Sequence, residues 1–254
     1  MAAFRRVETP VGATITALLL RSMISRGTPQ HRVCRFGMLH VMRRLTWLAM
    51  GMLCVTAAGQ QPPSLVSIGI VFDTSGSMGA KLQRSRQLAA QFIRAANPQD
   101  EFFLIEFNNR PVVTIPFTAD TEKIQEHLVF TQSKGRSALW DAVYLALNEI
   151  KKGQRPHKAL LVISDGGDNS SHYTENEISN LVSEARVPIY AFGVNGPAAS
   201  SGRTAEELDG PTRLNEIAKQ SGGRYFAIED LNDISTFAAT VTGEVRSAVP
   251  MVTP

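Results

Sequence analysis

Beyond residue 59 the sequence contains no cysteine at all; the only two, Cys34 and Cys54, precede that point. Residues 60–254 therefore hold neither a disulfide framework nor a thiolate metal or redox site. Lysine is missing from the first 59 residues, which carry eight Arg and a single acid, Glu8. Of the 26 basic and 23 acidic side chains, 18 and 22 thus belong to the remainder, a balance of −4 set against +7 before it. The alkaline pI of about 9.0 is a property of the leader. An acidic balance implies no basic face, so a nucleic-acid-binding reading of the body loses its electrostatic support. Long apolar runs are also wanting: the longest, Leu45 to Ala58, falls short of the ~20 residues that cross a bilayer. No internal repeat is visible.

What the first 63 residues do contain reads as processing sequence. Met42-Arg43-Arg44, the apolar run and the exit Ala57-Ala58-Gly59 have the layout of a secretory signal peptide over 42–59, cleaved after Gly59. Cys54 follows Leu53 rather than a small residue, unlike a lipoprotein attachment site. Residues 1–41 are surplus to that layout. They are read as upstream of a true start at Met38 or Met42, with an organellar transit peptide as the alternative. Residues 60–64 form a linker, 65–246 a single domain and 247–254 a tail. The expected location is secreted, periplasmic or at the cell envelope, with no membrane span in the mature chain.

Strands and helices alternate through the body. Val66 to Phe72, Glu101 to Phe107, Ala159 to Ile163, Pro188 to Val194 and Arg224 to Ile228 read as strands, and the first and third are apolar enough to be buried on both faces. Arg110 to Phe117 reads as a strand returning through a two-residue Asn108-Asn109 turn. Pro111 and Pro116 cannot donate to a ladder and put it at an edge. Helical periodicity covers Lys81 to Ala95, Thr121 to Val129, a stretch from Leu139, one capped by Thr174 and Glu177, Thr212 to Ser221, and one from Leu231. Asn195 to Pro211 reads as a long loop. The result is an α/β fold, a doubly wound and mostly parallel six-stranded sheet with one antiparallel edge strand and helices on both faces.

The first strand ends in Asp73-Thr74-Ser75-Gly76-Ser77, one carboxylate and three hydroxyls within five residues. A polar loop at the carboxyl end of a buried parallel strand is where such sheets bind ligands. Oxygen-only donors suit a hard cation such as Mg²⁺, which takes roughly six oxygens at about 2.1 Å and keeps some waters; without His or Cys, zinc and copper are disfavoured. The loop resembles the Asp-x-Ser-x-Ser motif that opens the metal-ion-dependent adhesion site of von Willebrand factor type A domains. The likeness extends from Leu65 to Val245. It carries Ser137, in Gly135-Arg136-Ser137-Ala138-Leu139, and Asp165, in Ile163-Ser164-Asp165-Gly166-Gly167-Asp168, onto the family's other two ligating segments. The resemblance thus implies a metal site of Asp73, Ser75, Ser77, Ser137 and Asp165. It would hold Mg²⁺, with Mn²⁺ or Ca²⁺ as alternative ions, and a protein partner would supply a Glu or Asp carboxylate. The family's usual Thr is Ser137 here, which keeps the hydroxyl but loses the methyl that restrains χ1. Asp73 and Asp165 end the two most apolar runs, so a sheet that pairs those strands brings two carboxylates together, where they repel unless a cation intervenes.

Other readings compete. Ser75-Gly76-Ser77-Met78-Gly79 resembles a hydrolase nucleophile elbow on Ser77, with Asp165 and His172 following in order; its first Gly is Ser75, however, and seven residues separate Asp from His. An aspartyl-phosphate transferase on Asp73 lacks the second Asp, which is Ser75. A third class is a fixed subunit of an envelope complex. Asp168 and Asn169 are expected to shape their loop, Trp140 to pack its helix, and His127 and His157 to be solvated. The favoured reading is non-enzymatic binding of a protein.

Overall fold

In the computed structural model, residues 64–194, 205–228 and 234–247 are described. The expected leader and signal peptide, most of the linker and most of the tail lie outside them. Six strands form one sheet in the order β3-β2-β1-β4-β5-β6. They are β1 (Val66–Asp73), β2 (Glu101–Phe107), β3 (Pro111–Thr118), β4 (His157–Ser164), β5 (Ile189–Val194) and β6 (Tyr225–Ile228). Only the β2–β3 pairing is antiparallel, and β3, with Pro111 and Pro116, is the edge strand as expected. The two most apolar strands are neighbours at the centre, with Phe72 opposite Ile163.

The helices are α1 (Leu82–Ala95), α2 (Thr121–Phe130), α3 (Leu139–Glu149), α4 (Glu175–Ala185), α5 (Ala205–Gln220) and α6 (Ile234–Ser247). Side chains alternate along β1, so Ile68, Ile70 and Phe72 share one core with Leu88 and Phe92 of α1, Ile124 of α2 and Val241 of α6. Val71 joins Phe103, Ile105 and Leu160 in the second core, beneath Val143 of α3, Val182 of α4 and Leu214 of α5. A sheet sandwiched between two helix layers leaves only its strand ends open, and β1 and β4 end side by side.

Local chemistry explains the elements that were read correctly. The Thr174 hydroxyl accepts from the Glu177 amide at 3.4 Å, while the Glu177 carboxylate accepts from the Thr174 amide at 2.8 Å, a complete capping box. Three readings need correction. The helix expected from Thr212 begins at Ala205 and passes through Gly210 and Pro211. Breaker propensity is overridden there because Gly210 is packed against the chain after β4. The β2–β3 connection comprises Asn108, Asn109 and Arg110 rather than two residues. His157 is buried, not solvated, because β4 starts two residues before its apolar run and lies between β1 and β5. Residues 195–204 of the expected loop lie outside the described residues.

Candidate functional site

Asp73 is the last residue of β1 and is fully buried. The chain leaves it through Thr74 and Ser75 into a 3-10 turn, Gly76–Lys81, that leads into α1. The Asp73 Oδ1 accepts from the Ser75 amide at 2.8 Å and its Oδ2 from the Ser164 hydroxyl at 2.5 Å. The Ser75 and Ser77 hydroxyls lie 3.1 Å apart; Ser75 is buried and Ser77 exposed. Across the strand pair, Asp165 follows β4. Its Oδ1 accepts from the Gly167 amide at 3.1 Å and its Oδ2 from the Lys81 ammonium at 2.7 Å. Ser137, buried just before α3, donates to the Gly167 carbonyl at 2.7 Å. The first loop is tied to the Ser137 loop by the Gly76 amide on the Gly135 carbonyl at 3.0 Å and the Lys134 amide on the Thr74 carbonyl at 2.8 Å. All five residues singled out in the sequence thus lie in three mutually bonded segments at one end of the sheet.

Burial, and then the neighbouring Asp165 carboxylate, push Asp73 up to about 7, against the hydrogen bonds from Ser164 and Ser75. The place is therefore short of positive charge, and Lys81 supplies some of it to Asp165. Among the described residues no group of three or more His, Cys, Asp or Glu is placed to hold a metal. The donor set is instead two carboxylates with serine hydroxyls, oxygen atoms that suit a hard cation retaining water. The residues fit Mg²⁺ in their chemistry.

The sequence of residues 67–240 matches the family model described as the von Willebrand factor type A domain. The chain belongs to that family. An uncharacterized protein of Borreliella burgdorferi is 27% identical to this type A domain protein over 184 residues, covering 64% of this chain; the chain spans 54% of that relative's length. Two solved structures share the fold. An aerotolerance-related membrane protein from Bacteroides fragilis has a TM-score of 0.58 and 19% identity, over 70% of this chain and 99% of that one. The pilus adhesin SpaC of Lactobacillus rhamnosus GG, in an open conformation, has a TM-score of 0.57 and 13% identity, over 74% of this chain and 30% of that one.

Several groups that position this type A domain's loops carry no signal in the sequence beyond their turn-forming type. Asp168 accepts from the Leu139 amide at 2.8 Å and the Ser171 hydroxyl at 2.5 Å, and Asn169 accepts from the Ser137 amide at 3.0 Å; both shape the loop as expected. Burial comes first in raising the Asp168 carboxyl, against those hydrogen bonds. From the hairpin, Asn109 accepts from the Arg136 amide at 2.7 Å and the Asn108 carbonyl from the Ala138 amide at 2.9 Å. Trp140 is buried in the core, a packing residue. His172 holds its Nδ1 2.7 Å from Asp141, while Asp165 pairs with Lys81. The Asp165–His172–Ser77 relay that a hydrolase would need is not assembled.

Asp141, in the first turn of α3, accepts from the His172 and Tyr173 amides at 2.8 and 3.1 Å as well as from the His172 ring. Burial alone would raise its carboxyl, but the bonds from His172 and Tyr173 prevail and hold it below the usual range. A depressed carboxyl contributes stability above its unfolded pKa and loses it as pH falls through the folded value. Asp141→Asn should therefore cost about 1–2 kcal/mol at neutral pH, with the gap closing below about pH 4. Urea unfolding of both proteins across pH 3–7 checks this; a gap that does not depend on pH would refute it. Among the described residues no helix is long and apolar enough to cross a membrane.

Proposed function

We propose that this domain is a non-enzymatic adhesion or complex-assembly module at the cell envelope or outside the cell. In this reading Asp73, Ser75, Ser77, Ser137 and Asp165 hold Mg²⁺, and a partner protein contributes a Glu or Asp carboxylate. Bound there, the ion would supply a hard Lewis-acid centre with a coordination position open to an oxygen ligand. The observation that carries the reading is the buried pair Asp73 and Asp165 at the ends of adjacent strands, beside two serine hydroxyls and, among the described residues, ion-paired only through Lys81 on Asp165. Such a pair is unfavourable without a cation. The pilus adhesin and membrane-protein likenesses and the signal-peptide layout of residues 42–59 support the placement at the envelope. Residues of this chain do the rest. Ser164 and the Ser75 amide orient Asp73, the Gly167 amide orients Asp165, and Asn169 fixes the backbone at Ser137.

The test is retention of a partner from native extract on the immobilised chain in Mg²⁺, compared with EDTA. Ser137→Thr should retain it as well as wild type, because the hydroxyl stays on a stiffer side chain. Ser137→Ala should lose it at limiting Mg²⁺; equal binding by the Ala variant would remove Ser137 from the ligand set. Lys81 gives a second check. Its ammonium competes for Asp165, so Lys81→Met should bind Mg²⁺ about tenfold more tightly, ~1.4 kcal/mol, by calorimetric titration. Unchanged or weaker affinity would show that the ion pair and the cation do not share that carboxylate.

A further inference from the structure

Beside the candidate metal centre an open groove of about 480 Å³ lies between β3 and the end of α2. Its one acid, Glu106, is fully engaged. The Glu106 carboxylate accepts from the His127 ring at 2.9 Å and from the hydroxyls of Thr114 at 3.1 Å and Thr131 at 2.5 Å. The charges left facing outward are the exposed cations Arg110 and Lys134, with Arg136 exposed on the same loop as Lys134. Two apolar side chains of its wall are open to water. Val112 is 51% exposed and Phe130 81%; both line the groove, and Val129, 63% exposed, adjoins Phe130. Among the described residues the exposed large apolar side chains are these three and Leu208, so all but one gather here. Clustered apolar exposure rimmed by charge marks an interaction surface rather than the scatter expected of any surface.

The groove adjoins the first candidate metal loop at Thr74. Thr74 lines it, its carbonyl anchors the Lys134 amide at 2.8 Å, its amide is bonded to the Phe107 carbonyl at 2.8 Å, and the next residue is Ser75. A chain delivering a carboxylate to a cation held by Asp73 and Asp165 and continuing along this wall meets Arg110 and Lys134 as well as Phe130 and Val112. We infer that the groove is the second half of the partner site and takes an extended peptide segment of the partner protein. Besides the metal-directed carboxylate, that segment carries an aromatic or branched aliphatic side chain, seated on Phe130 and Val112, and a further Asp or Glu facing Arg110 and Lys134. The inference rests on the metal-centre reading above. It adds a requirement that reading lacks, namely that one carboxylate does not suffice. Aromatic and Arg positions of this kind carry most of the energy of protein contacts, and a cationic rim selects against basic partners.

The probe is a phage-displayed random peptide library, panned on the immobilised 254-residue chain in Mg²⁺ and eluted at low pH. The leading peptide is then synthesised with a fluorophore and titrated by anisotropy. Enriched peptides should combine at least two carboxylates with an apolar side chain. Phe130→Ser and Arg110→Glu, both on exposed positions that the fold does not need, should each weaken binding at least about tenfold, as should Asp73→Ala. The two surface variants should keep the Mg²⁺-dependent thermal shift of wild type, which separates loss of the groove from loss of the metal. No enrichment, or enriched peptides without the acidic-apolar combination, overturns the inference. Peptide binding that EDTA abolishes but neither surface variant touches also overturns it, while leaving the metal reading intact. Binding that needs Phe130 and Arg110 but ignores EDTA and Asp73→Ala keeps the groove and removes the metal bridge.

Discussion

Mg²⁺ at a hundredfold excess over its dissociation constant should raise the melting temperature of the wild-type chain and leave that of Asp73→Ala unmoved. Binding to the native state alone stabilises by about 2.7 kcal/mol at that excess. For a domain of this size that is a rise of about 5–10 °C, at roughly 2–4 °C per kcal/mol. Asp73 is the residue on which the argument turns. It is fully buried at the end of the central strand, burial and Asp165 push it up to about 7, and Lys81, the cation paired in the cluster among the described residues, sits on Asp165 instead. Mg²⁺ would gain a carboxylate that nothing else in the cluster neutralises. In the Ala variant the Ser164 hydroxyl and Ser75 amide also lose their acceptor, so the metal-free protein itself changes in stability. Asp73→Asn answers that difficulty, since it keeps an acceptor oxygen and removes the charge. Both variants should be indifferent to Mg²⁺ between its absence and saturation of wild type, measured by differential scanning calorimetry. A rise of wild-type size in either one would mean that the ion binds elsewhere.

The parts of this molecule that were legible in the sequence are those fixed by chemistry close along the chain. Val66 to Phe72 and Ala159 to Ile163 stand out because strands buried on both faces need every residue apolar, and they do pair at the centre. The capping box of Thr174 and Glu177 and the edge position forced by Pro111 and Pro116 follow from single-residue rules. The cluster Asp73, Ser75 and Ser77 stands out at a strand end by itself, whereas Ser137 and Asp165 join the candidate set through the resemblance to the type A family. What escaped depends on residues far apart in sequence. Lys81 reaches Asp165 across 84 positions, and in the sequence it was only the start of a helix. Asp141 and His172 meet only because α3 and the loop after β4 share one end of the sheet. Glu106, His127 and Thr131 come from a strand, a helix and the turn after it, and each alone is an ordinary surface residue. The Gly210-Pro211 pair misled for the converse reason. Propensity describes an isolated helix, and α5 is not isolated at that point.

That contact sets up a reversal of sign. Replacing glycine by alanine inside a helix ordinarily stabilises by about 0.5–1 kcal/mol, because alanine loses less backbone entropy on folding. Gly243 of α6 is such a case, with nothing within 4 Å of the position a Cβ would take, and Gly243→Ala should gain that amount. Gly210 of α5 should behave in the opposite way. A Cβ there would lie 2.0 Å from the carbonyl oxygen of Asp165 and 3.0 Å from its carbonyl carbon, backbone atoms that have no rotamer to retreat into. The other side of the contact is equally closed. Gly166 has φ +81°, and a Cβ on it would meet the Gly210 carbonyl oxygen at 2.3 Å. The clash can be relieved only by moving α5 off the sheet end or by shifting the Asp165 backbone, so Gly210→Ala should destabilise by about 1–3 kcal/mol, the usual cost of overpacking. Because the displaced backbone carries Asp165, the same variant should lose part of its Mg²⁺-dependent thermal shift, whereas Gly243→Ala should keep all of it. Urea unfolding of both variants, with and without Mg²⁺, reads the two effects together. If Gly210→Ala is as stable as wild type while Gly243→Ala shows its gain, α5 does not rest on the chain after β4, and the support drawn here for Asp165 is wrong.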